Sequence, residues 1–120
     1  MKKKTLVIGA SLKQNRYSNK AIKKLTENGQ PTVAIGLKEG EVASVKIETQ
    51  KIFFEEIHTI TLYLNPKRQE EYYDYIISLK PKRVIFNPGT ENFDFTKLLQ
   101  KEGINYEFAC TLVLLATNQY

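Results

Sequence analysis

Thr5-Leu6-Val7-Ile8-Gly9-Ala10-Ser11 is a short β-branched and aliphatic run that ends in three small residues. A run of this kind reads as a parallel strand buried on both faces. Its small-residue end leaves the main-chain N–H groups open to close approach. A helix is predicted to start near Ser18, and its positive N-terminal end would aim at the same place. Together these features predict a phosphate or nucleotide cradle at Gly9, Ala10 and Ser11. The spacing is not the G-x-G-x-x-G of the dinucleotide fingerprint, and a tight strand-to-helix turn would need the same small residues. The rest of the chain has to decide.

The helix after the cradle is expected over Ser18 to Asn28, with Ser18 as N-cap, Ala21, Ile22 and Leu25 as its apolar stripe and Gly29 as its stop. Pro31 opens a second strand, Thr32-Val33-Ala34-Ile35-Gly36. Strand, helix and strand at this spacing make a βαβ unit with a right-handed crossover. Residues 37–57 show no clear period and read as a loop with a short extended piece and one helical turn. Thr59-Ile60-Thr61-Leu62-Tyr63-Leu64 is a third strand, and Asn65-Pro66 starts a helix that ends before Pro81. Arg83 to Asn87 is a fourth strand, followed by a helix holding Phe95, Leu98 and Leu99. Ile104 to Ala109 is a fifth strand, and Thr111 caps a short last helix.

This alternation predicts one α/β domain over 1–120, a Rossmann-like, doubly wound parallel sheet of about five strands in the order 3-2-1-4-5 with helices on both faces. Ligands of such sheets bind beyond the carboxyl ends of the strands, at the point where the strand order reverses. The order 3-2-1-4-5 puts that point between the first and fourth strands. The segments at the carboxyl edge are Gly9-Ala10-Ser11, Gly36-Leu37-Lys38, Asn65-Pro66 after Leu64, Asn87-Pro88-Gly89-Thr90 and Cys110-Thr111. Most are small, polar and turn-forming, and this agreement across separated segments outweighs any single motif.

The 120 residues are 42% hydrophobic and carry a net charge of +5 with a pI of about 9.3, which favours anionic partners. Three of the cations are Lys2, Lys3 and Lys4, and no basic run is interleaved with aromatics, so nucleic acid is not the expected partner. The apolar stretches are too short for a secretory leader or a membrane span. One cysteine, Cys110, rules out an internal disulfide and fits a reducing cytoplasm. One histidine, His58, has no cluster of ligands around it, so no metal is expected. Tyr72, Tyr73 and Tyr75 fit packing better than base stacking.

Several of these segments resemble the small stand-alone CoA-binding domain proteins, which are related to the CoA-binding domain of the succinyl-CoA synthetase alpha subunit. The resemblance rests on Val7-Ile8-Gly9-Ala10-Ser11, Arg16-Tyr17-Ser18-Asn19, Gly29 before Val33-Ala34-Ile35, Asn87-Pro88-Gly89-Thr90-Glu91-Asn92 and Ala109-Cys110-Thr111. It implies a fold that holds the nucleotide part of CoA or an acyl-CoA. Gly9, Ala10 and Ser11 resemble the phosphate turn, Arg16, Tyr17 and Ser18 the lip at the first helix, and Pro88-Gly89-Thr90 the turn after the fourth strand. Two departures stand out: Gly36-Leu37 replaces the family's usual Asn-Pro, and Asn65 stands where relatives often carry an arginine.

No residue near the expected site has the partner that catalysis needs. His58 precedes the third strand, at the opposite edge from Ser11. Cys110 at a strand–helix junction is either an activated thiol or a small buried hydrophobe. The leading reading is therefore a binding module without catalysis, a sensor or carrier of a small nucleotide ligand, with homodimerisation left open. The alternatives are an NAD(P) or other nucleotide module, a small reductase, or an interaction protein with a vestigial cleft. The end of the second strand reads Gly36-Leu37-Lys38, without the acidic residue that NAD domains place there.

Overall fold

Seven strands form one sheet in the order β3-β4-β2-β1-β5-β6-β7 in the computed structural model, which describes residues 2–120. The strands are β1 (Thr5–Ala10), β2 (Thr32–Gly36), β3 (Gly40–Val42), β4 (Val45–Glu48), β5 (Thr59–Leu62), β6 (Arg83–Phe86) and β7 (Asn105–Phe108). All neighbours are parallel except the β3–β4 hairpin. The helices are α1 (Tyr17–Glu27), α2 (Pro66–Gln69), α3 (Tyr73–Leu79), α4 (Phe93–Lys101) and α5 (Thr111–Ala116), with a 3₁₀ turn at Glu70–Tyr72 joining α2 to α3.

β1 is the central strand because its side chains have a core to enter on both faces. Leu6 and Ile8 pack with Ile60, Leu62, Phe86, Phe95 and Ile76 under α3 and α4. Val7 points the other way, to Ile22, Leu25, Ala34, Ile47 and Leu115 under α1 and α5. This is the two-sided burial that the continuous apolar run implies.

The α/β class and the helices on both faces match expectation, but the strand count and order do not. Residues 37–57, expected as mostly loop, hold the β3–β4 hairpin. Through β4 it pairs in parallel with the outer edge of β2, matching Ala34 to Ile47. That edge is the place the order 3-2-1-4-5 reserved for the strand at Thr59. With it filled, the strand pairs instead with β1, Thr5 opposite Thr59 and Ile8 opposite Leu62. The order reverses between β1 and β5, not between β1 and the strand at Arg83, so the ligand crevice shifts one strand over.

Two caps also differ from the reading of the sequence. Arg16, not Ser18, is the N-cap of α1, and Ser18 lies buried in the first turn. Cys110, not Thr111, is the N-cap of α5, and the Thr111 N–H is held by the side chain of Asn87 at 2.9 Å. The helix expected from Asn65 to Pro81 is broken by the 3₁₀ turn, while Asn65 does cap its start, accepting the Arg68 N–H at 2.9 Å.

Candidate functional site

A cleft with a volume of about 580 Å³ opens at the carboxyl edge of the sheet, within the range of small-molecule sites. It straddles the β1–β5 boundary. One wall is built by the ends of β1 and β2 and the start of α1, and the other by the segments after β5 and β6.

The near wall begins with a bulge. β1 pairs Ile8 with Ile35 and then Ala10 with Gly36, so Gly9 is an extra residue, held at φ +95°. A Cβ at Gly9 would lie 3.0 Å from the carbonyl carbon and oxygen of Tyr63. Gly9 thus serves both a positive φ and a close backbone approach. A Cβ on Gly36 would meet the Ala10 carbonyl oxygen, so β1 and β2 end in close contact. Beyond the bulge, Asn19 donates to the Ser11 carbonyl at 2.9 Å, and Ser11 Oγ accepts the Lys13 N–H at 3.1 Å. No side chain caps α1, and its first turn contains no acidic residue. Its first-turn N–H groups, beside the lining residues Tyr17 and Ser18, are therefore left without a side-chain partner among the described residues.

The far wall is arranged in the opposite way. Gln69 is fully buried and donates to both the Leu64 and Thr90 carbonyls at 2.8 Å, tying the two wall segments together. Its Oε1 accepts from Asn92, which also donates to the Tyr73 hydroxyl and caps α4 by accepting the Phe95 N–H. Asn87, at the end of β6, donates to Thr61 Oγ1 and the Leu62 carbonyl and accepts the Thr111 N–H. Every polar end of Gln69, Asn87 and Asn92 has a partner.

Charge in the cleft is one-sided. Lys13, Arg16, Lys38 and Arg68 line it, and among the described residues no carboxylate does. Among the described residues none of the four enters an ion pair. Leu12, Tyr17 and Leu37 add exposed apolar surface at the rim.

The structure brings Gly9, Ala10, Ser11, Arg16, Tyr17, Ser18, Gly36, Leu37, Lys38, Leu64, Asn65, Pro88, Gly89 and Thr90 to the cleft. Cys110 is not among the lining residues; it sits half-buried at the start of α5. Leu12, Lys13, Tyr63, Arg68 and Tyr72 line the cleft and were missed by the sequence reading. For Arg68 and Tyr72 there was a signal: they stand three and seven residues after the N-cap Asn65, a spacing that shares one helical face. The Tyr63 hydroxyl is buried beside the Thr111 and Thr61 hydroxyls, and burial pushes its pKa up to about 12 despite partial relief from those two. Those two hydroxyls bond each other at 2.8 Å.

His58 lies at the amino-terminal edge of the sheet, where its backbone N–H bonds the Lys4 carbonyl. Its Nδ1 is 2.7 Å from Thr59 Oγ1, which also accepts from Arg83 Nε at 3.1 Å. Burial first, then the charges of Arg83, Lys3 and Lys82, hold the His58 pKa below 6.5. Among the described residues no cluster of His, Cys, Asp and Glu is arranged to hold a metal ion, and no helix is long and apolar enough to cross a membrane.

The fold and cleft have counterparts among solved structures. A crystal structure of an uncharacterized protein is 43% identical, covering 100% of this chain and 99% of that one, with a TM-score of 0.97. A hypothetical protein from Pyrococcus horikoshii OT3 is 28% identical over 93% of this chain and 80% of its own, with a TM-score of 0.83. A protein from Thermus thermophilus, 18% identical over 99% of this chain and 91% of its own, has a TM-score of 0.86, a likeness of fold alone. No curated protein matches the sequence. The model of the CoA binding domain family matches residues 3–116, nearly the whole chain, and the protein belongs to that family.

Proposed function

We propose that the cleft binds CoA or an acyl-CoA and that the protein acts as a non-catalytic binding module, a sensor or carrier in a reducing cytoplasm. The observation that carries this reading is the near wall: an uncapped α1 N-terminus in a cleft with four unpaired cations and no carboxylate. Such a surface favours a polyanion that can place oxygens on backbone N–H groups. In this reading Gly9, Ala10 and Ser11 hold the diphosphate, with Arg16, Tyr17 and Ser18 as the lip above it. Gly36, Leu37 and Lys38 take the adenosine end, because ribose contacts in such sheets come from the end of the second strand. Leu64, Asn65, Pro88, Gly89 and Thr90, with Arg68, flank the pantetheine. His58 at the opposite edge and Cys110 off the cleft leave the ligand without an acid–base pair, which favours binding over catalysis.

CoA differs from dephospho-CoA by its 3′-phosphate, and in this reading Lys38, the cation after β2, takes that phosphate. Calorimetry with CoA, dephospho-CoA and NAD tests this. CoA is expected to bind about tenfold tighter than dephospho-CoA, a preference that shrinks as salt rises. Lys38→Ala should remove that preference. Equal affinity for the two would eliminate the 3′-phosphate site, and tighter binding of NAD would replace the reading altogether.

A further inference from the structure

The loop that carries the near wall is tied to the rest of the protein in an unexpected place. Among the described residues, the hydrogen bonds of Leu12–Arg16 stay within the loop and α1. The Leu12 side chain lies instead against Gly40, the first residue of β3. A Cβ built on Gly40 would come 2.5 Å from Leu12 Cδ2, 2.8 Å from Cδ1 and 3.1 Å from Cγ. Gly40 has no positive φ and does not line the cleft. Its lack of a side chain is therefore needed for what rests on it, not for its own backbone.

The seat itself is firm. Gly40 pairs with Ile47 of β4, and β4 pairs with β2. Val42, Val45 and Ile47 are buried against Ile22 and Leu25 of α1. The hairpin thus packs on the helix whose N-terminus faces the cleft and also supports the loop leading into that helix.

We infer that the hairpin is a brace for the ligand site, and that Gly40 is a positioning residue acting through Leu12. Any side chain at Gly40 must displace Leu12. Leu12, whose side chain is exposed, then swings outward to solvent and gives up its seat, turns into the cleft, or lifts the loop; each of these frees or moves the Ser11–Arg16 backbone. The fold should tolerate the change, because Gly40 is on an edge strand with an ordinary φ, where Gly→Ala restricts the unfolded chain. This inference rests on the CoA reading for its ligand but not for its geometry.

The test is a cycle of Gly40→Ala, Leu12→Ala and the double variant. It is read by calorimetry with CoA, by thermal melting, and by amide hydrogen exchange of residues 11–16 in the ligand-free protein. Gly40→Ala is expected to weaken CoA about tenfold, speed exchange in the loop and leave melting unchanged. In the Leu12→Ala background the same change should alter affinity by less than about twofold. Wild-type affinity and exchange in Gly40→Ala would overturn the brace, as would an equal loss in both backgrounds. If the wild type binds no CoA, the ligand reading fails alone, and loop exchange in the same cycle still decides the brace. Leu12→Ala removes the contact from an exposed side chain, so it keeps the test open should Gly40→Ala fold poorly.

Discussion

The two walls of the cleft treat their polar groups in opposite ways. On the far wall, Gln69, Asn87 and Asn92 satisfy each other and the carbonyls of Leu64, Leu62 and Thr90, and α2 and α4 are both capped by asparagine. On the near wall, α1 has no side-chain cap, and among the described residues its neighbouring cations form no ion pair. α3 and α5 also lack a cap from their own N-cap residue, but α3 continues from the 3₁₀ turn and the first N–H of α5 is held by Asn87, whereas α1 starts at the cleft. The far wall gives the cleft its shape and adds one cation, Arg68, and the near wall supplies the rest of what a ligand can bond.

The largest effect should come from breaking the far wall. Gln69→Leu keeps the volume close but strands the Leu64 and Thr90 carbonyls and one end of Asn92, at a cost of about 3 kcal/mol. Urea unfolding measures it, and wild-type stability would mean that the walls do not differ in this way. Next come the charges. Arg16→Gln and Arg68→Gln should each weaken CoA about five- to tenfold at low salt without moving the melting temperature. If either change lowered stability as much as ligand affinity, the distinction between a wall that binds and a wall that holds would blur.

The hairpin behind the near wall offers a gain. Its two-residue turn places Ala43 at φ 49° and Ser44 at φ 66°, where Asn-Gly is preferred. Ala43→Asn with Ser44→Gly should add about 1 kcal/mol, seen as a melting temperature higher by a few degrees, with CoA binding unchanged. The smallest effect lies far from both walls. Because the folded protein lowers the His58 pKa, the unfolded chain binds a proton first as pH falls below 6.5. Stability from this group is level above that pH and declines beneath it, towards the lowered value. His58→Gln should flatten that part of a melting-versus-pH curve, and an unchanged slope would assign it to other groups.

Much of this architecture was legible because it is written in local periods. The runs at Thr5, Thr32 and Arg83, the stripe Ala21, Ile22 and Leu25, and the Asn65-Pro66 helix start each specify their element without help from distant residues. The hairpin was not legible, because Ala43-Ser44 carries no turn signal and Val42, Val45 and Ile47 are too few to establish a period. From that omission followed the wrong strand order, since only the filled edge of β2 sends β5 to β1. The cleft-edge residues were found because any doubly wound order delivers strand ends to one side of the sheet. Arg68 was not legible from the strand end because it reaches the cleft from one helical turn beyond Asn65. Cys110 was included because it follows β7, an edge strand too far from the β1–β5 boundary to reach the cleft.

The central position of β1 has a consequence for how the chain acquires its structure during synthesis. Both partners of β1 are made after it, β2 ending at Gly36 and β5 at Leu62. A strand buried on both faces therefore leaves the ribosome before either of its neighbours exists to pair with it. Its pairing with β5 must wait for the hairpin to be made in between, and parallel pairing across such separations is slow. During that interval Leu6, Val7 and Ile8 are the residues most exposed to a wrong partner, and the early β2–α1 crossover is what can shelter them first.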